Sequence, residues 1–298
     1  MTSEISLLVN PVAGRGRGAR AAQPAARALR DAGYSVRTVV GTDAADALRR
    51  AREAVAAGTD ALIAVGGDGL VSLALQAVAG TDTPLGVVAV GTGNDYARAL
   101  GLPVRDPAAA GRIAADALAH GRARELDLGR VAGRWFGTVL ASGFDSRVND
   151  RGNRMRWPNG RFKYDLAMLA ELAAFRPVPY RVTLDDGVER EIEATLVAVG
   201  NGTSYGGGMR ICAGAAMDDR LFDVTVVGDC GRATLLTVFP RVYRGTHLDH
   251  PRVTVHRTRT ITLAAPGLTG YADGEPLGPL PLTAECVTGA VRVLIPGP

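Results

Sequence analysis

An apolar run, ALIAV at 61–65, passes straight into Gly66-Gly67-Asp68-Gly69, and a helix-patterned stretch, LVSLALQAVA, follows at once. A strand that hands over to a helix through bare backbone is one strand–helix unit, and this chain repeats it. ISLLVN at 5–10 leads into PVAGRGRG and a helical pattern from about Ala19 to Asp31. YSVRTVV precedes a helical pattern over 44–57, and LGVVAV leads into GTGND and YARALG. Strands apolar throughout, alternating with helices, predict a mostly parallel sheet covered on both faces. Ligands of such sheets bind outside the carboxyl ends of the strands. The three glycine turns, at 11–18, 66–69 and 91–95, all fall there.

After about residue 127 the pattern shortens. RWFGTVLAS, YRVTLDD, EIEATLVAVG, LFDVTVVG, PRVTVHRT and TITLAAP are alternating runs punctuated by Gly, Pro, Asp and Asn. They predict an antiparallel sandwich or barrel, interrupted by helical insertions at about 160–175 and 232–245. With the boundary near Leu126–Gly129, the reading is an α/β domain over 1–127 and a β-rich domain over 128–298. The last strand, AVRVLIP, is assignable to either. A chain of 298 residues is long enough for two cores.

Composition excludes several classes. No apolar run reaches the roughly 18 to 20 residues that span a bilayer. The start, MTSEISLLVNP, lacks the basic and apolar regions of a signal peptide, so a cytoplasmic location is expected. Cys212, Cys230 and Cys286 are odd in number and without ligand spacing, which argues against disulfides and zinc. A net charge of +4 suits a phosphorylated or anionic-membrane partner. An aromatic content of 5%, with no basic run interleaved with aromatics, argues against nucleic acid. Lys163 is the only lysine among 34 Lys and Arg residues, read either as a required point charge or as a chance survivor.

The glycine turns carry the chemistry. Glycine lets a ligand approach the backbone, and successive N–H groups ahead of a helix make an anion site. Asp68 inside such a site repels a bare phosphate, so it is expected to meet a cation, magnesium carried on a nucleotide, or else to be a plain N-cap. GTGND repeats the logic: Gly91 and Gly93 give access, Thr92 a hydroxyl, and Asn94 and Asp95 polar ends. Asp127 in ELDLG adds a third carboxylate at the expected cleft. A P-loop is absent, and GRGRGARA resembles a dinucleotide turn only superficially.

VNPVAG, GGDG, VGTGNDYARALGLP, ELDLG, GFD, GRFKYDLAML, VGNGTSYGGGMRICAGAAMDDRLFDVTVV and YADGEP together carry a resemblance. The chain resembles the lipid kinase family of bacterial diacylglycerol and phosphatidylglycerol kinases and eukaryotic sphingosine and ceramide kinases, nearly end to end. The resemblance implies ATP and magnesium in a cleft between two domains. One is similar to the nucleotide domain of NAD kinases and phosphofructokinases; the other is a β-sandwich with the lipid acceptor site. It implies nucleotide contacts at Asn10, Pro11, Val12, Ala13, Gly14, Thr42, Gly66, Gly67, Asp68, Gly69, Leu70, Val71, Ser72, Gly91, Thr92 and Asn94. Arg15, Arg20, Arg98 and Lys163 fall where the family places cations near phosphate or magnesium-bound water. Asp68, Asp95 and Asp127 match its water-mediated magnesium network, and Asp273 and Glu275 its acid/base pair. Asp219, with the carbonyls of Ala216 and Leu221, matches a structural metal site.

The chain departs from the pattern at Leu70 to Leu73, where the family has Thr, any residue, Asn and Glu. It departs also at Val90, where a proline is usual, and at Arg220, where a glycine is usual. The reading is phosphoryl transfer from ATP to a lipid hydroxyl, most simply diacylglycerol, with Glu275 or Asp273 as base. In an extended DGE segment the two carboxylates share one side; the other reading of the segment is a β-turn with solvated acids. The apolar stretches 164–175 and 235–243 are read as flanking a lipid tail or as core helices. The enzyme is expected on the inner face of the membrane as a peripheral protein, with a homodimer left open. Two rivals remain: a kinase of another acceptor, whether another lipid or a soluble polyol or metabolite, and a catalytically weak nucleotide-binding regulator.

Overall fold

The computed structural model describes residues 3–11, 13–143 and 177–297. Val12, Lys163 and the insertion at about 160–175 lie outside them. The N-terminal half is the α/β domain. β1 (Glu4–Val9), β2 (Ser35–Val39), β3 (Ala61–Gly66) and β4 (Leu85–Ala89) form a parallel sheet in the order β4-β3-β1-β2. Ile5, Leu7, Leu8 and all of Ala61–Val65 are fully buried, as a sheet covered on both faces requires. On one face α1 (Ala13–Asp31) and α5 (Pro107–Ala119) bury Ala25, Leu29, Ala110 and Ala114 against Ile5, Leu7 and Ile63. On the other, α2 (Ala44–Ala56) and α3 (Asp68–Val78) bury Ala47, Ala51 and Leu75 against Leu8, Leu62 and Ala64.

Two helices differ from the sequence reading. α1 starts at Ala13, so the expected turn over 11–18 is mostly helix despite its glycines. Arginine and alanine, good helix formers, alternate with them there, and each glycine costs only about 1 kcal/mol. α5 was not expected at all. Its signal was Asp106-Pro107: the Asp106 carboxylate caps Ala109 N–H at 2.9 Å, and proline occupies the first turn.

The C-terminal half is the β-sandwich. It comprises β5 (Ala123–Val131), β6 (Arg134–Phe136), β7 (Val139–Gly143), β8 (Val178–Thr183), β9 (Glu189–Gly200), β10 (Phe222–Gly228), β11 (Val253–Thr258), β12 (Thr260–Ala264), β13 (Thr269–Ala272), β14 (Glu275–Pro279) and β15 (Leu282–Leu294). A sixth helix, α6 (Arg232–Val242), takes the place of the second helical insertion. Strand β9 serves two layers: Glu189–Ala194 pairs with β8, and Ala194–Gly200 with β7 and β10. The interior holds Phe136 stacked on Phe222 at 5.7 Å, with Tyr180 fully buried beside Val197 and Val199.

The boundary read near Leu126–Gly129 falls inside β5. Strand β15 resolves its own ambiguity by belonging to both halves. Its start pairs antiparallel with β12, it pairs antiparallel with β5 from Ala284 to Leu294, and near its end it pairs parallel with β4 through Val293↔Leu85. One sheet therefore runs through the whole molecule.

Candidate active site

The parallel register aligns the strand ends that carry the glycine turns. Val9 lies opposite Val65, and Gly66 opposite Ala89. The turns after β3 and β4 touch: a Cβ on Gly91 would lie 2.5 Å from the Gly67 Cα, so neither position has room for a side chain. Asn94 takes the left-handed conformation, φ 61°, and its amide closes the second turn. Gly91 N–H donates to Asn94 Oδ1 at 2.9 Å, and Asn94 Nδ2 donates to the Gly91 carbonyl at 3.0 Å. Thr92 is exposed at the rim, and the Arg98 Nε–H donates to the Gly93 carbonyl at 3.0 Å.

Asp68 opens α3 but caps a different helix. Its oxygens accept the N–H groups of Asn94 at 2.6 Å and Asp95 at 2.7 Å, the entry to α4 (Asp95–Ala99). Asp95 in turn reaches the sandwich, accepting from Gly207 and Gly208, both at 2.7 Å. Burial raises the Asp95 carboxyl above its ordinary range; the Gly207 bond opposes this and the Asp68 charge adds to it. The two carboxylates flank Gly93, whose added Cβ would fall 2.6 Å from Asp68 Oδ2 and 3.3 Å from Asp95 Oδ2.

ADGEP is a hairpin tip, the turn of the two readings rather than the extended segment. Asp273 (φ 50°) and Gly274 (φ 84°) form the two-residue turn between β13 and β14, with Ala272 paired to Glu275. Asp-Gly is the preferred pair where both residues need positive φ. The Asp273 carboxylate accepts from Gly137 N–H at 2.7 Å, Thr138 N–H at 2.8 Å and Thr138 Oγ1 at 2.5 Å. Burial raises its pKa, those donors lower it, and the Asp68 charge raises it again. Glu275 is exposed, and its Oε1 lies 3.8 Å from the Cβ position of Gly69. The structure thus brings Asp68, Asp95, Asp273 and Glu275 to one cleft.

Asp127 is directed elsewhere. Buried, it accepts from Arg220 N–H at 2.7 Å and Gly289 N–H at 2.9 Å, tying the MDDR loop and the β15 turn to β5. Arg220, standing where glycine is usual, adopts φ 70°. Asp219 accepts the Leu221 N–H at 3.1 Å and pairs with the Arg257 guanidinium, which also lies 3.3 Å from Asp223. Ala216 and Leu221 are partly buried beside it.

The remaining nucleotide candidates lie along the same sheet edge. Asn10 N–H donates to the Val65 carbonyl at 3.4 Å, Pro11 is exposed, and Ala13, Gly14 and Arg15 begin α1, with Arg20 exposed further along. Thr42 donates through N–H and Oγ1 to Asp46 at the start of α2. Leu70, Val71 and Ser72 are buried. Leu70 packs where Gly66 lacks a Cβ, and Leu73 packs on the core, so both departures after GGDG are filled by packing. Sequence reasoning missed Gln76 and the backbone donors at 137 and 138; the motif VGNGTSYGGGM marked Asn201, which donates to the Asp127 and Gly137 carbonyls, and Gly207 and Gly208, but not what they touch.

Among the described residues, no three His, Cys, Asp or Glu side chains converge as a metal cage. Each oxygen of Asp68 accepts one N–H and keeps one further acceptor direction, while Asp95 is bonded by Gly207, Gly208 and the Ser204 side chain. That donor set fits a hydrated divalent ion carried on phosphates, the usual habit of magnesium, rather than a protein-made cage.

Two family models match the chain: "Diacylglycerol kinase catalytic domain" over residues 4–131, and "YegS C-terminal NAD kinase beta sandwich-like domain" over residues 138–295. A diacylglycerol kinase of Mycobacterium tuberculosis is 46% identical across 98% of this chain and 95% of the relative. The crystal structure of a diacylglycerol kinase from Bacillus anthracis superposes with a TM-score of 0.74 at 23% identity, covering 98% of this chain and 97% of that one. An NAD kinase from Archaeoglobus fulgidus, solved in complex with ATP, shares the fold at a TM-score of 0.55 and 12% identity, covering 99% of this chain and 93% of that one. The chain belongs to the diacylglycerol kinase and YegS-like lipid kinase family, and is an enzyme of that family.

Proposed function

We propose that the protein transfers the γ-phosphoryl group of ATP to a lipid hydroxyl, with diacylglycerol as the first acceptor to test. The observation that carries the reading is the approach of the sandwich's acidic hairpin to the nucleotide turn, with Glu275 Oε1 3.8 Å from the Gly69 Cβ position. Phosphoryl transfer asks the protein mainly for positioning and charge stabilisation. The glycine turns at 66–69 and 91–94 offer bare backbone to the phosphates. Asp68 and Asp95 would hold a hydrated magnesium ion, which when bound would neutralise phosphate charge. Exposed Glu275 takes the acceptor proton, while Asp273, fixed by its three donors, orients the hairpin. Asp127 supports the cleft from outside by holding β5, β15 and the MDDR loop together.

The division into a nucleotide domain over 1–127 and an acceptor domain over 128–298 belongs to this proposal, as do the cation roles of Arg15, Arg20, Arg98 and Lys163. No helix among the described residues is long and apolar enough to cross a membrane. The net charge of +4 supports docking on an anionic inner membrane surface. The test is ATP-dependent phosphorylation of diacylglycerol, phosphatidylglycerol, ceramide and a sphingoid base, each in vesicles, with glycerol as a soluble control. Phosphatidic acid as the main product, lost at least a hundredfold in Glu275→Gln with ATP binding intact, is the expected result. Preferred phosphorylation of glycerol, or ATP binding without turnover, overturns it.

A further inference from the structure

Residues 134–138 are held from both sides. On one side, Gln76 of α3 meets Trp135 of β6 reciprocally: Gln76 Nε2 donates to the Trp135 carbonyl at 2.8 Å, and Trp135 N–H donates to Gln76 Oε1 at 2.9 Å. Among the described residues β6 is an edge strand that pairs only with β5. The Gln76 amide therefore acts as a one-residue strand on its open side, since a primary amide presents donor and acceptor together. On the other side, the same five residues grip the acidic hairpin. Arg134 donates to the Pro276 carbonyl at 3.0 Å, and Gly137 and Thr138 hold the Asp273 carboxylate. The Arg130 guanidinium lies 5.5 Å from the Trp135 ring centroid, adding a further tie to this segment.

Gln76 lies eight residues along α3 from Asp68, about 12 Å at helical rise. One rigid helix thus begins at the nucleotide turn and ends by fixing the strap that carries Asp273, with Glu275 two residues on. We infer that Gln76 is a positioning residue: through Trp135 it sets the acidic hairpin against the nucleotide turn. The inference rests on the proposed role of Glu275. Misplacing a reacting group by about 1 Å can cost on the order of 100-fold in rate without any change in chemistry.

The experiment compares Gln76→Leu, which keeps bulk and loses both hydrogen bonds to Trp135 together with the one to the Ser72 carbonyl, with Glu275→Gln and the double variant. Lipid phosphorylation and calorimetric MgATP binding are the readouts. Gln76→Leu is expected to lower kcat roughly tenfold or more, within the range expected for misplacement. Its Kd for MgATP should stay within about twofold, and it should add no loss in the Glu275→Gln background, as for residues acting as a unit. Losses that multiply, or ATP affinity falling in step with kcat, overturn the inference. A Glu275→Gln enzyme with full turnover instead overturns the proposed base. In that case the coupling is read in urea unfolding of Gln76→Leu, Asp273→Asn and their double variant: non-additive losses support the shared strap, and additive ones sink it. Should Gln76→Leu not fold, Gln76→Asn, too short to reach both Trp135 groups, enters the same cycles.

Discussion

Asp68 caps the helix that carries Asp95: its Oδ1 accepts the Asp95 N–H at 2.7 Å while its Oδ2 accepts that of Asn94 at 2.6 Å. The carboxylate at the centre of GGDG is therefore a structural acceptor as well as a candidate ligand. Asp68→Asn turns an amide NH₂ toward one of those N–H groups. It is expected to lose at least a hundredfold in kcat and also about 1.5–3 kcal/mol of stability, the range for hydrogen bonds to a charged group. Urea unfolding beside turnover at saturating magnesium checks both. Unchanged stability denies the capping role, and unchanged turnover denies the ligand role.

Gly93 sits between those two carboxylates with no space for a methyl group. Asp68 is fixed by two backbone donors, so it cannot swing away from a Cβ that would lie 2.6 Å from its Oδ2. Gly93→Ala should weaken MgATP binding about tenfold or more while the protein stays folded, measured by calorimetry and circular dichroism. Wild-type affinity would mean that the two acids do not act on the nucleotide together.

Burial holds the Asp273 carboxyl above the ordinary range, against the pull of Thr138 and Gly137. The unfolded chain releases that proton near about pH 3.9. Between the two values the folded protein keeps a proton the unfolded chain has lost. The contribution to stability is full below the unfolded value and falls as pH rises through the folded one. The difference in unfolding midpoint between Asp273→Asn and wild type should therefore move in favour of the variant as pH rises across that window. A flat difference, or the opposite slope, contradicts this.

Arg257 places a guanidinium on Asp219 and Asp223, where burial and the Asp219 charge raise the Asp223 carboxyl and Arg257 lowers it. Arg257→Ala should lower the thermal midpoint by several degrees, consistent with about 1–2 kcal/mol in a chain of this size. It should also make that midpoint respond to magnesium in the absence of nucleotide. An equal magnesium response in wild type and variant would show that Arg257 does not supply the positive charge there.

The α/β half was legible because strand burial and helix periodicity are local: ALIAV reads as buried on both faces, and it is. The hairpin at 273–274 had a local signal too, Asp-Gly, which supports the turn over the extended reading. What the acids touch was not legible. Their partners are mostly backbone N–H groups, at 94, 95, 137, 138, 207, 208, 220 and 289, and a backbone donor leaves no trace in residue identity. Asp127 shows the consequence. By spacing it belongs with Asp68 and Asp95, and like Asp68 it accepts one backbone N–H on each oxygen, here from Arg220 and Gly289. Gln76 was hidden for the reverse reason, since one amide on a helix is ordinary until the edge strand beside it is known.

Strand β15 pairs with β4, β5 and β12, and the ribosome makes it after every one of them. Until it emerges, among the described residues β4 and β12 each keep one open side, and β5 is joined only to the short β6. Unpaired edges of this kind are templates for joining another chain. Neither half can complete its sheet during synthesis, so a nascent chain exposes edges in both at once and closes them in a single late step. A fragment ending before residue 282 keeps them open for good, and aggregation rather than partial activity is its expected fate.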